Sequence, residues 1–220
     1  MPDPDIHSRP VSSTRCANPA NPASRVNPAS PGNLIYQQIV DALIAMHRLT
    51  DGYTPGHEDR TALLSVRIAR ELQLDAQRIM QINMAAQVHD IGKADIPLKL
   101  LNKPGRLTDA EFTIIKTHVQ VGYDILKHID FPFPLAEFVY CHHEYLDGSG
   151  YPRGIKADQI PLESRILTVA DIVESMSEDR PYRRSLGMPA ALAEIRRQSG
   201  QRLDPVVVDA CVRAVENDPV

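Results

Sequence analysis

Residues 57–93 read HEDRTALLSVRIARELQLDAQRIMQINMAAQVHDIGK, and this stretch decides the fold. Leu63, Leu64, Ile68 and Leu72 recur at the three- and four-residue spacing of one helix face, which predicts a helix beginning near His57. Asp75 then punctuates the chain, and Ile79, Ile82, Ala86 and Val88 trace a second inward face that runs out at His89-Asp90. Upstream, Leu34, Ile35, Ile39, Leu43 and Ile44 predict a helix over about 34–49. Downstream, Thr108 and Glu111 form the Thr-x-x-Glu box that opens a helix running to about 127. Further helices are expected over 134–143, 161–178, 188–199 and 205–216, the last with Asp204 as its cap and Pro205 in its first turn. Strand-like alternation is nowhere sustained, so the fold class is all-α.

Residues 1–32 hold 7 of the 18 prolines and almost no large apolar side chains. Such a segment cannot bury enough surface to offset its ordering entropy. It reads as a disordered tail or linker, with a partner-binding motif as the alternative. A leading helix over 33–50 and a body over 51–218 follow. Two long segments rich in Gly and Pro, IGKADIPLKLLNKPGRL (91–107) and EYLDGSGYPRGIKADQIP (144–161), place the chemistry beside them.

The 220 residues are 43% hydrophobic and 24% charged, with no apolar run approaching a membrane span and no apolar leader at the start. A cytoplasmic chain without membrane insertion is expected. The formal charge of −4 argues against nucleic acid as the main partner, though a small phosphorylated ligand needs only a local basic cluster. Cys16, Cys141 and Cys211 form no CxxC pair and no readable disulfide framework.

The candidate ligands are His and Asp. His89-Asp90 closes a helix, His142-His143 is an adjacent pair, His57 begins a helix and His118 is expected inside one. Asp171 stands in the apolar run RILTVADIVESM, where a carboxylate is costly unless paired or bound to a cation. Metal ligation accounts for it, and so does an ion pair with Arg165 or Lys93. A set of His and Asp without Cys suits Fe, Mn or Zn. His7, His47 and His128 read as ordinary tail or helix residues, and Cys141 as facing the core.

Together, HxxR at 57–60, HDIGK at 89–93, His118, HHEYLDGSGYP at 142–152, VAD at 169–171 and DRPYR at 179–183 resemble the HD-GYP phosphodiesterases, a branch of the HD superfamily of metal-dependent phosphohydrolases. The likeness runs from about Asp51 to Pro205 and includes Lys103-Pro104-Gly105 before the capped helix. It implies a helical bundle around a dinuclear centre. In the family pattern one metal takes His57, His89 and Asp171, the other takes His118, His142 and His143, and Asp90 bridges them. Two such ions can hold a bridging water as hydroxide near neutral pH. Lys93 would orient a phosphate oxygen, Tyr151 and Asp147 would shape the substrate pocket, and Arg180 and Arg183 would bind phosphate.

Active members of that family hydrolyse cyclic di-GMP to linear pGpG, and some continue to GMP. The resemblance therefore implies cyclic di-GMP as ligand and two divalent ions as cofactor, Fe or Mn first and Zn permitted. Where some members carry a glutamate supporting a third metal, this chain has Tyr53, which implies two metals and pGpG as end product. Glu174 stands where the family often has Asp. GGDEF-domain proteins, a separate sensory or receiver protein, and a homodimer through the 34–49 helix are the partners this reading suggests. Rival readings are another HD-superfamily nucleotide hydrolase, and a cyclic di-GMP sensor with little turnover.

Overall fold

The computed structural model describes residues 31–50, 56–178 and 185–217, and the tail expected over 1–32 lies almost wholly outside them. In chain order the helices are α1 (Pro31–Thr50), α2 (His57–Glu71), α3 (Ala76–Val88), α4 (Leu98–Leu101), α5 (Asp109–Lys116), α6 (His118–Leu126), α7 (Leu135–Tyr140), α8 (Leu162–Ser177), α9 (Met188–Gln198) and α10 (Pro205–Asn217). Short 3-10 turns cover Ile91–Asp95 and Ala157–Gln159. Among the described residues the only β pairing is an isolated bridge between Ser199 and Leu203, so the all-α expectation holds.

α8 sits between two apolar cores because it is apolar on opposite sides. Ile166, Val169 and Val173 pack with Ile68 of α2, Ile82 of α3, Ile195 of α9 and Val207 of α10. Leu167 faces the other way, toward Val40 of α1, Met84 and Val88 of α3, Leu126 of α6 and Phe138 of α7. Each large side chain fully buried here contributes about 1.5–3 kcal/mol of transfer free energy. The local stops agree with the sequence. Asp75 accepts from the Arg78 N–H at 2.8 Å to start α3, and Thr108 and Glu111 complete a reciprocal capping box at α5. Asp204 accepts from the Val206 N–H at 2.9 Å at the start of α10.

Three expectations need correction. The helix expected over 108–127 breaks at Thr117. There the Thr117 hydroxyl donates to the Ile114 carbonyl and His118 Nδ1 to the Ile115 carbonyl, both at 2.7 Å, so side chains take acceptors that a continuing helix needs. The inward face of α1 is also rotated: Val40 and Ile44 are buried, whereas Leu34 and Ile35 are 61% and 56% exposed. α1 carries apolar residues over more than half of its circumference, with Gln37, Asp41 and Arg48 on the remaining strip, so periodicity alone does not fix its phase. Leu63, read as inward, is likewise exposed. α1 packs into the second core through Val40 and Ile44.

Candidate metal centre

The site is assembled on α8, where Ser164, Thr168, Asp171 and Glu174 recur every three or four residues and form a polar stripe on an apolar helix. The Ser164 hydroxyl donates to the Phe138 carbonyl at 2.9 Å, and the Thr168 hydroxyl to the His142 carbonyl at 2.6 Å. These bonds hold the turn after α7 that carries His142 and His143. Further along the stripe, Asp171 Oδ1 lies 3.2 Å from Nε2 of His57, while Glu174 takes Nδ1 of the same ring. Arg60 donates to Glu174 through Nε at 2.9 Å and Nη2 at 2.7 Å, fixing the carboxylate that orients His57.

His89, His118 and His142 are oriented differently. Each stands at a helix end and directs Nδ1 to the carbonyl three residues earlier, at 2.7 Å for Ala86, 2.7 Å for Ile115 and 2.5 Å for Val139. A carbonyl only accepts, so Nδ1 of each ring carries a proton and Nε2 points inward. The Nε2 atoms of His118 and His142 are buried and find no hydrogen-bond partner among the described residues.

Asp90 joins the two groups. Its Oδ2 lies 3.3 Å from His89 Nε2 and 3.7 Å from His57 Nε2, while its Oδ1 lies 3.5 Å from His118 Nε2. His57, His89 and Asp90 bring ligand atoms within 4.8 Å of one another, and so do His118, His142 and His143. Two buried clusters of His and Asp, with the Nε2 lone pairs of His118 and His142 left unsatisfied, fit the binding of divalent metal ions. Lys93 pairs its ammonium with Asp90.

Charge divides the site. Burial works against protonation of His57, but hydrogen bonds to Asp171 and Glu174 outweigh it and raise its pKa to about 9. His89 moves up likewise because Asp90 overcomes its burial. In the other cluster burial dominates, helped by neighbouring imidazoles: His142 falls to about 3, and His118 and His143 also fall. Asp90 and Asp171 resist the upward push of burial and lie well below the usual carboxylate range, Asp90 held by Lys93 and His89, Asp171 by His57.

Two glycines permit this closeness. A Cβ on Gly92 would lie 2.0 Å from the His118 carbonyl oxygen, and one on Gly150 would lie 2.4 Å from that of His143. Glu144 is buried and accepts from the Arg153 and Gly154 N–H groups at 2.7 and 3.1 Å, folding the 144–154 loop back over the site.

The seven expected ligands converge, with His118 as the first residue of α6, just after the break at Thr117. Of the two alternative partners for Asp171, Arg165 reaches Asp204 at 3.0 Å and Lys93 pairs with Asp90. Tyr151 packs its ring 4.8 Å from that of His143. Asp147 is exposed and accepts from the Ser149 N–H at 2.8 Å, so it shapes its own loop. Arg180, Arg183 and Tyr53 lie outside the described residues. Cys141 is buried, as expected. The roles of Thr168 and Glu174 escaped the sequence reading, although two carboxylates three residues apart in one apolar run, Asp171 and Glu174, would have signalled a shared buried face.

Residues 40–207 match the HD domain family. A cyclic di-GMP phosphodiesterase of Thermotoga maritima is 39% identical over 178 residues, which cover 80% of this chain and 48% of the relative. A 3′3′-cGAMP-specific phosphodiesterase of Vibrio cholerae is 41% identical over 165 residues, 74% of this chain and 35% of the relative. The chain thus spans half or less of the length of these curated relatives. Among solved structures, an HDG"Y"P protein of Bdellovibrio bacteriovorus superposes with a TM-score of 0.63 at 16% identity, covering 85% of this chain and 66% of that one. That likeness bears on the fold. No helix among the described residues is long and apolar enough to cross a membrane.

Proposed function

This chain belongs to the HD-domain family, and from that premise we propose that it is a metal-dependent phosphodiesterase opening cyclic di-GMP to linear pGpG. The observation that carries the reading is Asp90, whose two carboxylate oxygens face opposite histidine clusters. His57, His89 and Asp171 would hold one divalent ion and His118, His142 and His143 the other, with Asp90 shared. Such a pair of ions, Fe or Mn in this reading with Zn permitted, supplies Lewis-acid charge neutralisation and a nucleophile at neutral pH.

The chain's own groups complete the site. Lys93 pairs with Asp90, and its ammonium would orient a non-bridging phosphate oxygen beside that carboxylate. Tyr151 packs on the His143 ring and would wall the substrate pocket on the three-histidine side. Arg180 and Arg183 would bind phosphate, and Asp147 would act on the pocket through the shape of its loop. Opening the ring breaks one P–O3′ bond: water supplies the new phosphate oxygen and the 3′ oxygen leaves with a proton. Tyr53, in place of a metal-supporting glutamate, favours pGpG as the end product. Leu34, Ile35 and Met46, exposed along α1, offer a surface for a second copy, and a separate sensory or receiver protein or a GGDEF-domain protein would supply control.

Cyclic GMP-AMP is a second substrate to consider, because a relative specific for it is 41% identical. The test is chromatography of products after incubating protein loaded anaerobically with Fe(II) or Mn(II) with either dinucleotide. Metal-dependent release of pGpG is expected. Selective opening of cyclic GMP-AMP would move the reading to that substrate, and no turnover of either would leave a sensor.

A further inference from the structure

α5 brings two more side chains to the mouth of the metal centre. Phe112 and Lys116 are four residues apart and share a helix face. Phe112 is 44% exposed, and its ring meets that of Tyr151 edge to face with centroids 6.3 Å apart. Lys116 Nζ lies 4.7 Å from the Phe112 centroid and 5.2 Å from the Tyr151 centroid. Among the described residues these two rings are the partners of Lys116, and no carboxylate neutralises it. The same Tyr151 ring packs on His143, so the cation and the exposed ring adjoin the three-histidine cluster.

We propose that Phe112, Lys116 and Tyr151 form a base-binding subsite, in which Lys116 swings off the Phe112 face to the ring edge, a guanine of the substrate stacks in its place, and the guanine accepts hydrogen bonds from the ammonium at O6 and N7. The inference rests on the reading of the site as a cyclic dinucleotide phosphodiesterase and narrows its substrate class. Stacking on an exposed ring is blind to base identity, because every base has a π face. Lys116 is not blind: an ammonium only donates, which suits the two acceptors of guanine and conflicts with the amino donor at C6 of adenine. A dinucleotide carrying at least one guanine satisfies the subsite, and cyclic di-AMP does not.

The test is calorimetric binding of linear pGpG and pApA to the Mn(II)-loaded protein, alongside turnover of cyclic di-GMP and cyclic di-AMP. The wild type should bind pGpG more tightly. Lys116→Met should weaken pGpG about tenfold while leaving pApA nearly unchanged. Lys116→Arg should keep the guanine preference, and Phe112→Ala should weaken both ligands together. An unchanged pGpG-to-pApA ratio in Lys116→Met, or an equal loss for both, would overturn the subsite. Guanine-selective binding without turnover would sustain the subsite and sink the phosphodiesterase reading. Turnover without guanine preference would do the reverse.

Discussion

The two halves of the metal centre are built by different means. Around His57, orientation comes from side-chain carboxylates, with Asp171 on one ring nitrogen and Glu174 on the other. Backbone carbonyls orient His89 in this half as they orient His118 and His142 in the other, where His143 is packed against rings and the cluster holds no carboxylate of its own. The first half is therefore acid-rich and holds protons, while the second is neutral, sheds them and borders Tyr151 and Lys116. Metal must displace a proton to enter one half and finds lone pairs already exposed in the other. Asp90 is the element common to both.

The strongest way to break this division is Asp90→Ala, which strikes both halves. Turnover should fall by about 1000-fold or more, and elemental analysis should show fewer than two metal ions per chain. Gly92→Ala strikes the second half first, because its methyl group would press on the His118 carbonyl from 2.0 Å. Denaturant unfolding should show a loss of about 3 kcal/mol, with displacement of His118 visible in a crystal structure. Glu174→Ala should act on the first half alone, lowering affinity for one ion by about 10–100-fold in a metal titration and sparing the other.

Acidity separates the halves further in metal-free protein. The folded pKa of His57 is raised to about 9, so its contribution to stability is complete below pH 6.5 and disappears as pH rises through about 9. The folded pKa of His142 is depressed to about 3, so a neutral buried ring is favoured above pH 6.5 and the protein weakens as pH falls from 6.5 toward 3. Melting temperatures of chelated protein should therefore peak near pH 6.5, and metal should flatten the alkaline side. A peak at pH 9 would contradict the assignment of His57. The smallest effect is expected from Thr168→Val, which removes the hydroxyl holding the His142 carbonyl and should cost about 1 kcal/mol in thermal unfolding.

The helices with one apolar stripe and clear punctuation were legible from residue order, as Asp75, the Thr108–Glu111 box and Asp204-Pro205 illustrate. His57, His89, Asp90, His118, His142, His143 and Asp171 stood out as candidates, each weak alone apart from the adjacent His pair and the costly aspartate in an apolar run, and the resemblance to the HD-GYP phosphodiesterases is what gathered them into one centre. What escaped depends on contacts distant in sequence. The break at Thr117 arises from competition for two carbonyls, which periodicity does not register. The phase of α1 is ambiguous because Leu34, Ile35, Val40 and Ile44 give it more than one apolar face. Glu174 and His57 are 117 residues apart, and their pairing emerges only when α8 lies beside α2.

Asp90 faces both histidine clusters and would make them one centre. The most direct measurement is electron paramagnetic resonance of the Mn(II)-loaded protein beside its Asp90→Ala variant. The expected result is an exchange-coupled pair in the wild type, with two ions per chain, and only the six-line signal of isolated Mn(II) in the variant. Isolated six-line Mn(II) in the fully loaded wild type would contradict it.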